Sequence, residues 1–416
     1  MTSRIGWIEI SGAALGRLRR ELAGESDGVV DEMGVGALHS GYADHFFPGT
    51  SVLQKRPRYL FFTCWNFLRL SEFDSAAPPL ERKELAEAWV RDQLRKAKQK
   101  NIIGARVERP AQPVDFIYWT ALKSWGFYRG VNRSTLVHQW DVIVPRRVDA
   151  TRELNPEAIT EEPAAAFFVK APPRYWLRQR PGEDITFDLQ RDEAEFLQKR
   201  LESLPPCVLS EAAVLARASG PNGESVWTDD VIREAARCRG ETAMVERARR
   251  ASSLALVVRA TYAALVEQRR NETAASTQMA AVKDRDHYVK KLAEIAAGTH
   301  SERETVLGLN LDSLREDIPR PDGTLFRLFD HVRDRLTRVR KVSDVESVML
   351  DAATMKAFCA AEVRRKGLRR ARLTNSVNGL ARRIGFTEKT LTVSGIDYRW
   401  ATVRMLLRDL HAGLNR

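Results

Sequence analysis

The sequence predicts a mainly α-helical protein with a few short strands, multi-domain and ending in a helical C-terminal domain. Helix-forming residues dominate it. In several segments apolar residues approximate the spacing of an amphipathic helix, as at Leu80, Leu85, Trp89 and Leu94. Two-residue alternation stands out at Ile185, Thr186, Phe187, Asp188 and Leu189, which reads as a short strand.

Taken in order, residues 1–145 form an aromatic-rich N-terminal domain. It holds a turn-like loop, Phe47-Pro48-Gly49-Thr50-Ser51, and then an apolar run at 59–70. A helix over about 79–100 would bury Leu80, Leu85, Trp89 and Leu94 and keep its Lys and Arg on the other face. A shorter helix is predicted at 117–126, ended by Gly126. Residues 146–181, with Pro163, Pro172 and Pro173, read as a partly irregular link. The central helical domain, 182–298, opens on the alternating segment and continues with helices near 191–203, 228–237, 242–267 and 282–297. In the 242–267 helix, Leu254, Val257, Val258, Thr261, Ala264 and Leu265 share an apolar face. A basic helical domain, 319–416, closes the chain, with apolar and basic positions alternating over 325–342.

The net charge of +12 is unevenly spread. Residues 331–416 carry 19 Lys and Arg against 8 Asp and Glu, so nearly all of the excess lies there. Localised positive charge is the footprint of a phosphate-binding surface. The four cysteines, Cys64, Cys207, Cys238 and Cys359, form no C-x-x-C pair, which argues against a disulfide framework or zinc site and for reduced thiols. Residues 1–10 are too polar for an export signal. The apolar stretch 251–266 is interrupted by Arg259 and falls short of the roughly 20 apolar residues of a membrane span. A cytoplasmic location without membrane contact is expected.

The pattern FPGTS-x-x-Q-x-R-x-RY-x-x-F falls on Phe47, Pro48, Gly49, Thr50, Ser51, Gln54, Arg56, Arg58, Tyr59 and Phe62. Together with Trp7, Tyr118-Trp119, Leu122, Trp125-Gly126, Arg249-Arg250-Ala251-Ser252 and Tyr398-Arg399-Trp400, it resembles DUF6361, a bacterial family of no established activity. Ala251 departs from the aromatic or aliphatic residue usual there. The resemblance implies a genomic setting beside helicases and nucleases in phage-defence clusters, and hence a helicase or nuclease protein partner.

Three constellations carry candidate chemistry. In the first, Pro48 and Gly49 favour a tight turn, and Thr50 or Ser51 would cap the following helix. Exposed helix amides with Gln54, Arg56 and Arg58 would then form a phosphate pocket. The alternative is a purely structural turn, its arginines paired with acids such as Asp44 or Glu72. The second is the run Arg364, Arg365, Lys366, Arg369, Arg370 and Arg372, where only Glu362 offers nearby compensation. On a helix, Arg365, Arg369 and Arg372 would share one face and bind phosphates with strong salt dependence. The third, residues 380–391, resembles a helix-turn-helix: Ala381 in a first helix, Gly385 at the turn, Thr387 as cap and a second helix presenting Glu388, Lys389 and Thr392. Arg382 and Arg383 complete its basic set.

Enzyme signatures are sparse: there is no phosphate-binding G-x-x-x-x-G-K-[ST], no H-E-x-x-H and no nucleophile elbow. His39, Asp44 and His45 form a candidate metal or acid–base group, and Asp184, Asp188 and Glu195 a candidate nuclease carboxylate set. The expected function is therefore nucleic-acid binding, contacting DNA in preference to RNA and without a cofactor, and the resemblance implies that the chain does this as an accessory subunit of an anti-phage system. The alternatives are a divergent metal-dependent nuclease and a structural adaptor docking on an acidic protein.

Overall fold

The computed structural model describes residues 33–143 and 185–416, except 69, 71–76, 108–109, 277–285, 297–299, 320, 385 and 389. The predicted link, Trp7, Asp184, Gly385 and Lys389 lie outside the described residues. Among those residues the regular structure is all helical, with no strand. This corrects the expectation of a few short strands. At 185–189 the alternation is real: Ile185, Phe187 and Leu189 are buried, and Asp188 is exposed. No strand lies alongside, however. Side chains take the backbone groups instead: Phe187 N–H donates to Gln99 Oε1 (3.0 Å), and the Thr186 carbonyl accepts from Arg58 (2.9 Å).

The N-terminal helices are α1 (Val35–Phe46), α2 (Tyr59–Leu68), α3 (Pro79–Lys96), α4 (Val114–Ser124), α5 (Arg133–His138) and α6 (Trp140–Ile143). Proline opens α3 at a position whose N–H is unneeded. Asn132 caps α5 by accepting from Thr135 N–H (2.9 Å). Next come α7 (Arg191–Glu202), α8 (Val208–Leu215), α9 (Asp230–Arg239) and α10 (Thr242–Ser276). Asp229 caps α9, and Gly240, with φ +71°, ends it.

Helix α10 is 35 residues long, or about 50 Å at 1.5 Å per residue. It is the spine of the molecule. From Leu254 to Val266 it is buried on nearly every side, as expected of a helix apolar all round. Around it pack α9 and the later α11 (His287–Ala296), α12 (His300–Leu307), α13 (Leu311–Glu316), α14 (Gly323–Arg338) and α17 (Val377–Ile384). Between α14 and α17 come α15 (Asp344–Met349) and α16 (Ala352–Lys366). The last helix, α18 (Trp400–Leu414), returns to lie on α7.

Ties across the sequence are polar as well as apolar. Asp317 accepts from Tyr42 Oη (2.6 Å) and from two nitrogens of Arg247 (2.7 Å each), joining α1, α10 and the end of α13. Among the described residues no helix is long and apolar enough to cross a membrane.

Helix α3 faces inward differently from its apolar pattern. Leu85 is 52% exposed, whereas Arg82 and Lys83 are completely enclosed. Arg82 bonds the Leu70 carbonyl and Asp141; Lys83 bonds Asp115 (2.5 Å) and Glu87 (3.4 Å). Arg133 also pairs with Asp115. Burial, and then the Asp115 charge, push the Glu87 carboxyl up to about 7, against the opposing pull of Lys83. Between its unfolded value near 4.5 and about 7, the native state therefore holds a proton that the unfolded chain has released. Stability from this site falls as pH rises through that window. Glu87→Gln, which has no proton to lose, should gain on the wild type by up to about 3 kcal/mol between pH 5 and pH 8. Parallel melting curves across that range would refute this.

Candidate nucleic-acid interface

The FPGTS loop is an internal joint. Gly49 has φ +82°, and a Cβ there would lie 2.5 Å from Trp125 Nε1, so only glycine fits. Trp125 donates to the Pro48 carbonyl (2.8 Å), and Thr50 Oγ1 to the Phe47 carbonyl (2.7 Å). Gln54 spans the turn, donating to the Gly49 carbonyl and accepting from Ser51 N–H. Tyr118 Oη accepts from Lys55 N–H (2.8 Å) and donates to the Arg56 carbonyl (2.9 Å).

The end of the chain closes this joint. Tyr398 and Arg399 take left-handed φ values of 47° and 66°, turning the backbone into α18. Arg399 then reaches the Thr50 carbonyl (2.8 Å) and Asp44 (2.7 Å), and Thr402 Oγ1 the Ser51 carbonyl (3.0 Å).

The expected phosphate pocket is not built here. Helix α2 begins only at Tyr59, so neither Thr50 nor Ser51 caps it. Arg56 pairs with Asp409, whose carboxyl burial pushes up and Arg56 draws down. Arg58 is buried against Glu193 (3.0 Å), a fully enclosed carboxylate. The structural alternative describes the site, with Asp409 and Glu193 in place of Asp44 and Glu72 as partners of Arg56 and Arg58. Those partners lie more than a hundred residues away and left no local signal.

The histidine and carboxylate candidates separate. His45 bonds Glu241 (3.3 Å), a contact that raises its pKa; Asp44 pairs with Arg399; His39 lies against the Tyr398 ring, and burial lowers its pKa. Asp188 pairs with Arg416, and Glu195 with Arg191. Among the described residues no three His, Cys, Asp or Glu side chains group as metal ligands.

The C-terminal basic run divides. Helix α16 stops at Lys366, so Arg365, Arg369 and Arg372 do not share a helical face. Gly367, with φ +74°, turns the chain into a loop that leads to α17. Arg365 pairs with Asp322, Lys366 with Glu362 (3.2 Å), and Arg372 lies over the Phe386 ring. Glu362 is the hub of this loop. Fully buried, it accepts from Tyr262 Oη (2.6 Å), Lys366 Nζ and the N–H groups of Arg372 and Leu373 (2.9 Å each).

Arg383 is also buried, at 2% exposure, and donates to the Arg372 and Thr374 carbonyls. Arg382 donates to the Arg369 carbonyl (3.0 Å) and remains exposed. Arg364, Arg369 and Arg370 are exposed too, and among the described residues no carboxylate pairs with any of these four guanidinium groups.

The helix-turn-helix does not form. Helix α17 is its first helix, but residues 386–388 and 390–397 contain no second one. Thr387 and Thr390 close a turn, and Tyr288 Oη lies within 3.1 Å of the carbonyls of Thr387, Glu388 and Leu391. The chain then runs irregularly along α10, where Arg259 holds the Ser394 carbonyl and Ser252 bonds both backbone groups of Ile396.

The FPGTS core, Tyr118, Trp125, Ser252 and Tyr398-Arg399 thus meet or brace one another, and a family model covers the first part of this set, residues 7–138. Residues 7–138 belong to DUF6361. It is a family of unknown function. No curated protein and no solved structure matches the chain. Within the DUF6361 region the signature residues support the fold, and the four exposed arginines Arg364, Arg369, Arg370 and Arg382 lie outside it.

Proposed function

We propose that the protein binds nucleic acid through Arg364, Arg369, Arg370 and Arg382, as an accessory subunit acting with a helicase or nuclease partner. One contrast supports this reading. Six surface arginines elsewhere pair with an acid of their own helix: Arg191 with Glu195, Arg233 with Asp230, Arg237 with Glu234, Arg249 with Glu246, Arg315 with Asp312 and Arg338 with Asp334. The four arginines around the α16–α17 loop lack such acids. Unrelieved like charge stays in place most readily when an anion completes it.

Non-specific backbone contact suits guanidinium groups on a loop, and duplex DNA is the favoured ligand. Replacing all four by alanine should weaken binding to a fluorescent DNA duplex. It should also reduce the slope of log affinity against log salt by about 4, one per phosphate contact. Titrations between about 50 and 200 mM salt measure both. An unchanged slope would refute the proposal. The anti-phage setting is part of the same proposal and follows from the resemblance.

A further inference from the structure

Helices α10, α11, α12 and α14 leave a cavity of about 250 Å³ between them. Its apolar wall is Leu256 and Val257 of α10, Ile295 and Ala296 of α11, Val306 of α12 and Leu336 of α14. A void of roughly 150 Å³ lined by such residues already admits a benzene, and drug-sized ligands occupy roughly 300–1,000 Å³. The space therefore suits a ligand of about ten heavy atoms. Three polar side chains also line it, Ser253, Glu294 and Arg303. Ser253 Oγ is turned back on its own helix, donating to the Arg249 carbonyl (3.4 Å). Glu294 is exposed, so water solvates its charge. Arg303 is half-buried, and its guanidinium lies at the cavity wall, where it donates to the Leu336 carbonyl. Among the described residues no carboxylate pairs with it.

We propose that this cavity binds a small aliphatic carboxylate, its chain on the apolar wall and its carboxylate on Arg303. The Leu336 carbonyl takes one arm of the guanidinium fork. The remaining donors suit a carboxylate, which a guanidinium holds through parallel N–H bonds. Charge balance selects an acid over an amine. A half-buried cation without a counter-ion gains more from pairing than an exposed carboxylate that water already solvates. An alcohol of the same length would cover the wall equally well and leave that cation unpaired. None of these residues belongs to the proposed nucleic-acid contact, and the inference does not rest on that reading.

The test titrates octanoate, octanol and octylamine, each below its micellar concentration, against the full chain by isothermal calorimetry. The wild type should bind octanoate saturably and at least about tenfold more tightly than octanol, the usual gain from hydrogen bonds to a charged group. Arg303→Met keeps a long apolar side chain without the charge. It should bring octanoate down to the level of octanol and leave octanol itself unchanged. Ala296→Leu, which fills the cavity, should weaken both ligands at least about tenfold, because the chain would overlap the added methyl groups. It should keep or raise the melting temperature. No octanoate binding, equal affinity for octanoate and octanol, or a preference for octylamine overturns the proposal. So does an undiminished acid preference in Arg303→Met, which decides the matter even where Ala296→Leu fails to fold. Octanoate affinity left intact in folded Ala296→Leu puts the ligand elsewhere and overturns it too.

Discussion

Replacing Arg58 by alanine is expected to destabilise the protein by about 3–5 kcal/mol, the usual result of leaving one member of a buried ion pair without its partner. Arg58 is 5% exposed, and Glu193 is fully enclosed at the start of α7. Burial already pushes the Glu193 carboxyl above its ordinary value, and Arg58 is the main group restraining it. Without the guanidinium that carboxyl would titrate higher still, and the Thr186 carbonyl would lose a donor. The variant's folded state would then hold a proton that its unfolded chain releases near pH 4.5. The deficit relative to wild type should thus be smallest near pH 5 and grow towards pH 8. Lysine should recover only part of the loss, because an ammonium cannot bond Glu193 and the Thr186 carbonyl in one planar fork. Denaturant midpoints at the two pH values measure the effect. Coincident midpoints for wild type and Arg58→Ala would show that the joint beneath the FPGTS motif does not depend on this pair.

Glu362→Ala should have the next largest effect, a loss of about 3 kcal/mol or more, since four donors lose a buried acceptor together. It should also weaken the proposed DNA binding without touching an arginine. The loop that presents Arg369 and Arg370 is folded back by the bonds from Arg372 N–H and Leu373 N–H to this carboxylate. Hydrogen exchange at those two amides, measured beside duplex affinity, separates the outcomes. If exchange rises while affinity holds, the arginines act without a fixed loop.

The helices were legible because their signals are local. Periodicity located α7, α9, α10 and α14 to within a few residues at most ends, apart from the longer C-terminal run of α10, and Asp229 and Gly240 mark the limits of α9 by capping chemistry. The inward face of α3 was not legible. Arg82 and Lys83 are buried by acids at positions 141 and 115, which no window around α3 contains. The alternation at 185–189 reported burial correctly but says nothing about whether another strand is present. Where the helix-turn-helix spacing puts a second helix, the backbone instead gathers on Tyr288, about a hundred residues upstream, whose Oη lies within 3.1 Å of the Thr387, Glu388 and Leu391 carbonyls.

The basic candidate site was half legible. Counting charge found the right stretch, and Arg364, Arg369, Arg370 and Arg382 remain exposed in it. Asp322, the hub role of Glu362 and the burial of Arg383 depend on folding and were invisible. Elsewhere in residues 331–416, Arg335 is held by Asp351 and Arg399 by Asp44.

The closure of the FPGTS joint by Arg399 and Thr402 links positions about 350 residues apart in the chain. A ribosome adding roughly 5–20 residues per second completes the second half of that joint on the order of tens of seconds after the first. Through that interval the Thr50 carbonyl lacks its Arg399 donor, the Ser51 carbonyl has the Gln54 N–H but not Thr402, and the surface that α18 will cover is open. The N-terminal region is therefore obliged to be born unfinished, and synthesis rate and chaperone access become determinants of its yield.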